Sequence, residues 1–291
     1  MGETAGVLAA MLSSGIGGTA IGATRYLAGA TDPLTLGFFR FGIGFVLLLP
    51  LALWRRERWP GARDWPATAA LGLLFFGLFP VLFNAALVHT TAARGALALS
   101  TLPLLTMLMA ALFRVERLTR RKTAGVFIAT GGVALALLAG LAHAPDGAWR
   151  GDLLMVTAAL CMALYNVSAR PLIGRSGPVA FTSFAMAVGA LCLAVVPAYR
   201  GGFASVAQFG SVQWAAIGYL GIFGGAIGFF LWAFALERTT PTRVAISVTV
   251  NPVTAAMVGT LLLDEAIGWN HVVGLVAVFT GIWIASTPQR R

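Results

Sequence analysis

The chain contains "RTTPTRVAISVTVNPVTAAMVGTLLLDE" from Arg238 to Glu265, an apolar run that Pro252 interrupts near its middle. A similar segment, "HTTAARGALALSTLPLLTMLMAALFRVE", spans His89 to Glu116, 149 residues earlier. A proline inside a helix removes a backbone donor and clashes with the preceding turn, which costs about 3 kcal/mol in a soluble helix. Because so unfavourable a feature recurs in the same context, the sequence indicates a structural unit that occurs twice.

The same shift of 149 residues aligns positions outside these two segments, pairing Trp65 with Trp214 and Leu87 with Leu236. Inside them it aligns a threonine pair, an arginine, the proline and a final glutamate: Thr90 with Thr239, Thr91 with Thr240, Arg94 with Arg243, Pro103 with Pro252, and Glu116 with Glu265. Near the start of each half, a shift of 145 residues aligns Arg25 with Arg170 and Pro33 with Pro178. We therefore predict two repeats, residues 1–145 and 146–291.

The composition predicts that lipid surrounds much of the protein. Of the 291 residues, 58% are hydrophobic and only 10% are charged, with a mean hydropathy of +0.86. Soluble domains carry about 25% charged residues, so this chain has too few to cover a water-exposed surface. The net charge of +10 comes from arginines in short breaks between apolar runs, a distribution typical of membrane proteins. Nucleic-acid binding is not indicated.

Ten apolar segments have about the length that a bilayer-crossing helix needs, roughly 20 residues. Arginine and lysine concentrate in alternate connections, after the second, fourth, sixth, eighth and tenth segments, and such loops are usually cytoplasmic. We therefore predict a multi-pass protein of the cytoplasmic (inner) membrane with both termini in the cytoplasm. The predicted spans are 6–28, 34–54, 66–88, 93–113, 122–142, 151–170, 178–198, 213–236, 241–263 and 269–287.

The odd number of spans in each repeat has a topological consequence. A second five-span unit that continues from the first enters the membrane from the opposite side, so the two repeats are inverted. The predicted fold class is therefore an all-α integral membrane protein, with ten transmembrane helices forming two inverted five-helix repeats around a central cavity. Secondary transporters often have this arrangement, with the substrate site near the bilayer midplane where the repeats meet.

Ten spans, a doubled five-helix unit, and a proline-bearing fourth helix ending in a glutamate resemble the EamA branch of the drug/metabolite transporter superfamily. Within it, the chain is most similar to YddG-like bacterial exporters of aromatic amino acids. The resemblance implies a central cavity lined by spans 1, 3, 4, 6, 8 and 9. It also implies export of small metabolites by alternating access, with neutral and aromatic amino acids as candidate substrates. We expect no cofactor, no obligatory protein partner and possible function as a monomer.

Polar side chains at membrane depth are the main candidates for lining a substrate pathway, because they are costly there unless they have a role. These candidates are Asn84, Tyr165, Asn166 and Asn251, with Ser247 a weaker one. None of the three asparagines recurs at its repeat partner, which fits a site for an asymmetric substrate. The alternative is that they form hydrogen bonds between helices, worth about 0.6 kcal/mol on average.

Aromatic residues and prolines supply further candidates in the same spans. Phe79, Phe83 and Trp232 would suit an apolar or aromatic substrate, although aromatic residues at helical spacing usually pack or contact lipid. Pro103 and Pro252 would form either hinges that move during gating or static kinks. Pro80, in the third span, has no counterpart in the second repeat.

Arg40 lies about six residues inside the second span, roughly 9 Å along a helix, so we expect its side chain to reach the membrane interface. A role in attracting a carboxylate is the alternative. The chain contains no HExxH, Walker A or GxSxG pattern, and its three histidines lie far apart at span ends. We expect no catalytic residue and no metal site. The remaining alternatives are a drug or other metabolite carrier, an importer, an intramembrane enzyme and a non-transporting scaffold.

Overall fold

The computed structural model describes residues 2–115, 119–139, 144–265 and 268–286, and this part of the chain is helical without a β-strand. A short 3-10 helix, Gly202–Gln208, follows the seventh long helix. The long helices are, in chain order, α1 (Gly2–Leu27), α2 (Pro33–Trp54), α3 (Ala62–His89), α4 (Ala92–Leu112), α5 (Arg120–Ala139), α6 (Ala148–Arg175), α7 (Pro178–Arg200), α8 (Ser211–Arg238), α9 (Pro241–Leu262) and α10 (Trp269–Ser286).

Eight of the described helices, α1–α4 and α6–α9, are long and apolar enough to cross a bilayer, with 21 to 28 residues each. The apolar stretches in α5 and α10 are shorter, Thr123–Ala139 and Trp269–Gly281. Large apolar side chains such as Leu12, Leu191 and Leu261 are exposed on the outside of the bundle, where lipid would cover them. The prediction of an all-helical, multi-pass membrane protein is confirmed.

Helices from the two halves of the chain pack against each other throughout the bundle. α1 packs on α8 and α9, while α6 packs on α3 and α4. At the periphery, α2 runs along α7, and α5 runs along α10. Aromatic side chains fill the centre, and the largest fully buried ones include Phe41, Phe75, Phe76, Tyr165 and Phe181.

Glycines in α1 bring this helix close to α9. A methyl group on Gly18 would overlap Thr254, and one on Gly22 would overlap Val258. Small residues at such positions allow two membrane helices to approach closely and to gain packing contacts. This close contact places the middle of α1 beside the middle of α9.

Two stretches of π-helix interrupt α3 and α8. They comprise Leu73–Leu78 in α3 and Leu220–Ile227 in α8. A π-helical turn shifts the hydrogen-bond register of the backbone by one residue, and such turns are frequent at functional sites. Both stretches lie in the middle of their helices, so the altered backbone is at the depth of the bundle centre.

Side-chain contacts group the helix termini into two ends of the bundle. At one end, Glu3 of α1 forms an ion pair with Arg243 of α9. At the same end, the Glu57 carboxylate accepts hydrogen bonds from the first amides of α7, those of Val179 (2.8 Å) and Ala180 (3.0 Å). We call this the Glu3 end.

The opposite end is joined by a second set of contacts. The Glu265 carboxylate accepts a hydrogen bond from the Ala92 amide at the start of α4 (3.0 Å) and lies 3.5 Å from the Arg25 guanidinium. Nearby, Arg94 of α4 forms an ion pair with Asp152 of α6. We call this the Glu265 end. Glu116, the repeat partner of Glu265, lies outside the described residues.

Candidate functional site

A cavity of about 60 Å³ lies between the helices through which the two halves of the chain pack on each other. We call it the central cavity. Leu99 of α4 and Met162 of α6 line it. The polar and charged lining residues are Ser13, Ser14, Arg40 and Asn251. The aromatic lining residues are Phe79, Phe83, Phe229 and Trp232. The lining thus comes from α1, α3, α4, α6, α8 and α9, the six helices that the family resemblance implies, and from α2 in addition.

The altered backbone of α8 supplies two carbonyl groups to this region. Gly224 lies in the π-helical stretch, and Gly228 follows it directly. The Ser13 hydroxyl donates a hydrogen bond to the Gly228 carbonyl (2.7 Å). The Arg40 guanidinium donates to the Gly224 carbonyl from two nitrogens, Nη2 at 3.1 Å and Nε at 3.4 Å. The glycines therefore expose backbone acceptors to side chains of α1 and α2.

Arg40 is buried, with 7% of its surface exposed, and it lines the central cavity. Three aromatic rings surround its guanidinium carbon, with centroids 5.3 Å away for Phe41, 5.8 Å for Phe83 and 5.9 Å for Phe229. The expectation that Arg40 reaches the membrane interface is therefore wrong. The side chain instead turns inward, where the Gly224 carbonyl and the ring faces partly replace its hydration.

Four of the eight residues predicted to line a substrate pathway do line the central cavity. Asn251 is 5% exposed, and its Oδ1 atom has no hydrogen-bond partner among the described residues. Phe79, Phe83 and Trp232 form part of the aromatic wall. A buried amide oxygen without a partner is unusual in a folded protein, so Asn251 has unused bonding capacity at the cavity. The Asn166 Nδ2 atom also lacks a partner among the described residues, but Asn166 does not line the cavity.

Two predicted residues lie directly behind the lining. The Asn166 Oδ1 atom accepts a hydrogen bond from the Trp232 indole nitrogen (2.9 Å), so it holds that ring in place. Ser247 shares a hydrogen bond with Ser14 (2.8 Å). Both residues can orient side chains of the cavity without touching its contents.

Two other predicted residues lie outside the central cavity and make packing contacts. The Asn84 amide nitrogen donates to the Pro33 carbonyl at the start of α2 (2.8 Å), which joins α3 to α2. Tyr165 stacks on Phe75 with ring centroids 4.1 Å apart and is 1% exposed. The position of a residue within its apolar segment does not distinguish Asn84 and Tyr165 from Asn251. Which face of the helix each residue occupies matters too, and that depends on the neighbouring helices.

The prolines mark interruptions in matched helices. Turn residues at Ser100 and Thr101 break α4 just before Pro103. A 3-10 turn, Val248–Val250, breaks α9 just before Pro252. Pro80 instead packs against α2, where the absence of a side chain at Gly37 leaves room for its ring. The structure thus places both matched prolines at helix breaks, while their role in motion stays a prediction.

A larger groove of about 560 Å³ lies between α1, α8 and α9 towards the Glu265 end. Its lining is mostly apolar and includes the exposed side chains of Tyr26, Val212 and Leu262. Since the groove opens on the outside of the bundle, lipid chains would fill it in a bilayer. The central cavity, which holds charged and amide groups at helix midpoints, is therefore the candidate site.

Comparison with known proteins identifies the family. The model of the EamA-like transporter family matches residues 4–138 and again residues 149–287. The chain belongs to this family, and its named relatives are transporters rather than enzymes.

Individual relatives cover most of the chain. The uncharacterized transporter YyaM of Bacillus subtilis is 24% identical, over 92% of this chain and 89% of its own. A probable terminal-alkyne amino-acid exporter of Streptantibioticus cattleyicolor is 30% identical, over 80% of this chain and 81% of its own. A solved crystal structure aligns with 98% of this chain and 96% of its own, with a TM-score of 0.69 and 21% identity, a likeness of fold alone.

Proposed function

We propose that this protein exports small metabolites, in particular neutral and aromatic amino acids, across the cytoplasmic membrane by alternating access. The observation that carries the proposal is the central cavity, where one buried cation and one buried amide with a free acceptor face a wall of aromatic rings. An amino acid has groups that match each of these features. Asn251, Phe79, Phe83 and Trp232 would contact the substrate, while Asn166 and Ser247 would position the lining.

We further propose that ten crossings form two inverted repeats, residues 1–145 and 146–291. The bounds of the helices support this arrangement. α3 and α8 are offset by 149 residues at both termini, and α4 and α9 begin at the same offset. The grouping of helix termini into the Glu3 end and the Glu265 end also supports it, because the contacts join termini that alternating crossings would bring to the same side. Five crossings per repeat would relate the halves by a two-fold axis in the membrane plane.

Amino acids are favoured over other cargo by two observations. The relative from Streptantibioticus cattleyicolor carries an amino-acid exporter name, and the cavity combines polar groups with an aromatic wall. A drug or another metabolite carried by the same superfamily is the alternative cargo. Such a molecule would bind to the aromatic wall of the cavity without using its polar groups.

The size of the central cavity supports a cycle of opening and closing. About 60 Å³ accommodates a few water molecules but is too small for a phenylalanine molecule. Helices would therefore have to move apart for the substrate to enter, and the breaks at Pro103 and Pro252 are suitable hinge points.

The decisive experiment is transport by the purified protein in liposomes. Preloaded vesicles should exchange external labelled phenylalanine or methionine, whereas protein-free vesicles should not. Asn251→Ala should reduce the exchange, while Asn270→Ala, which alters an asparagine outside the cavity, should leave it unchanged. Exchange of organic cations without exchange of any amino acid would instead favour the drug carrier.

The proposed orientation needs a separate test. Cysteine substitutions at Ala62 and Asp146, two exposed positions, in a chain without Cys161 and Cys192, should react with membrane-impermeant thiol reagents from opposite sides. We expect position 62 to be cytoplasmic and position 146 to be external. The reverse pattern would overturn the orientation but not the transport activity.

A further inference from the structure

Arg40 is a buried cation whose charge no carboxylate of the described residues neutralises. Among the described residues its donors reach only the Gly224 carbonyl, and the Phe41 and Phe229 rings lie beside the guanidinium. An arginine stays protonated in proteins, so its positive charge persists at the centre of the bundle. Taking an unpaired charge out of water is strongly unfavourable, and neither a carbonyl nor a ring face supplies the missing negative charge.

Among the described residues one other arginine, Arg94, is buried, and it shows how a buried charge is usually neutralised. Its side chain is 3% exposed, and it forms an ion pair with Asp152. Arg40 lacks such a partner within the described residues, yet it lines a cavity. A planar guanidinium has five N–H donors in a fork that matches a carboxylate, and only part of that fork is used by Gly224. The position is therefore ready for an anionic group that arrives from outside the chain.

Asn251 lines the same cavity from the other half of the chain, and it offers an unused acceptor where Arg40 offers unused donors. Its buried Oδ1 atom is an acceptor without a partner among the described residues. A substrate ammonium group would supply N–H donors for this atom. The hydroxyl of Ser13, which donates its proton to Gly228, has lone pairs free to accept a further hydrogen bond.

We infer that Arg40 is the substrate-recognition residue for a carboxylate, and that the protein selects molecules with a carboxylate next to an apolar or aromatic group. The carboxylate would bind the guanidinium through two parallel hydrogen bonds, the strong geometry for this pair. Asn251 would accept a hydrogen bond from the α-ammonium group. The inference rests on the proposed function, because it names the chemical class that the same site takes.

The test uses binding to the purified full-length protein, measured as ligand-induced thermal stabilisation in detergent. Four probes separate the groups: phenylalanine, 3-phenylpropanoate without the amine, phenethylamine without the carboxylate, and phenylalaninamide with the carboxylate neutralised. We expect the two carboxylates to stabilise the wild-type protein and the other two compounds to have little effect. Stabilisation by phenethylamine equal to that by phenylalanine would overturn the inference, and so would stabilisation by neither carboxylate.

Variants of Arg40 provide a second measurement. Arg40→Gln keeps an N–H donor for Gly224 but removes the charge, and phenylalanine binding should weaken roughly 30-fold or more, as when a buried charge pair is broken. Arg40→Lys keeps the charge without the fork and should retain part of the affinity. Arg200→Gln, at an exposed arginine outside the cavity, should bind phenylalanine normally. Unchanged discrimination between phenylalanine and phenethylamine in folded Arg40→Gln would overturn the inference.

The two proposals can fail independently. If vesicles exchange no amino acid, but carboxylates stabilise the wild-type protein and not Arg40→Gln, the inference stands and amino-acid export is wrong. If vesicles exchange phenylalanine and phenethylamine competes equally well, export stands and the role of Arg40 is wrong.

Discussion

An arginine–acid ion pair at equivalent sequence positions occurs at each end of the bundle, but the two pairs have different surroundings. Arg94 pairs with Asp152 at the Glu265 end, and Arg243 pairs with Glu3 at the Glu3 end. The two arginines are 149 residues apart in sequence, and so are the two acids. The side chains of the first pair are 3% and 14% exposed, whereas those of the second are 56% and 59% exposed.

The two pairs differ in how closely the protein packs around them. Further contacts surround the buried pair, because Arg94 also donates to the Leu137 carbonyl (2.9 Å) and Thr90 contacts Asp152 (3.5 Å). The exposed pair joins α1 and α9 only at the surface. The helix termini around Arg94 and Asp152 are therefore packed more closely than those around Arg243 and Glu3.

The largest expected effect comes from removing one acid of the buried pair. Asp152→Asn leaves the Arg94 charge buried and unpaired, which costs about 3–5 kcal/mol. Glu3→Gln removes a solvent-exposed pair, which is worth about 0–1 kcal/mol. Thermal unfolding of both variants in detergent measures the contrast. Equal losses of stability would show that the two ends are solvated alike.

Two helix-capping glutamates should, by contrast, behave similarly at the two ends. Glu57→Ala removes the acceptor for the first amides of α7, and Glu265→Ala removes that for the start of α4. Loss of a side-chain cap typically costs about 0.5–2 kcal/mol, with a small addition at both residues for a nearby arginine, Arg55 at Glu57 and Arg25 at Glu265. Unfolding measurements should include Glu237→Ala as a control, since the one ion pair of Glu237 among the described residues is with its neighbour Arg238. A much larger loss at one end would mean that its cap also seals the bundle.

Substitution of the two matched prolines tests whether the two ends open through equivalent hinges. Pro103→Ala and Pro252→Ala should each slow amino-acid exchange severalfold, equivalent to about 1 kcal/mol in the barrier, because a continuous helix bends less readily. Initial exchange rates in liposomes, normalised to folded protein, provide the measurement. A variant with an unchanged rate would show that its proline is a static kink.

High salt should produce the smallest effect on stability, and it should weaken only the exposed ion pair at the Glu3 end. At 1 M ionic strength the Debye length is about 3 Å, so the exposed Glu3–Arg243 pair would be screened. The small stability difference between Glu3→Gln and the wild-type protein should then disappear, while the deficit of Asp152→Asn should persist. Unfolding scans at low and high salt make this comparison. A deficit of Asp152→Asn that disappears in high salt would contradict burial of its pair.

Local chemistry made several features of this protein predictable from sequence. Too few charged residues for a water-exposed surface predicted a membrane protein, and runs of apolar residues predicted its helices. The helix breaks before Pro103 and Pro252 follow from the ring and the missing N–H of proline, which act within one helical turn. The π-helical stretches in α3 and α8 were not predicted, because a register shift of the backbone has no comparable residue signature.

The sequence by itself determined the class of protein, the positions of most helices and the place of each polar residue along its helix, because these depend on composition and on intervals along one chain. Only the tertiary structure decided which polar residues share a cavity. Arg40 has a flexible side chain that could reach the interface or the interior, and its direction depends on the Gly224 carbonyl, 184 residues away. Asn84 and Asn251 have the same chemistry, yet one joins two helices and the other lines the cavity, since packing between distant segments sets which face of each helix points inward.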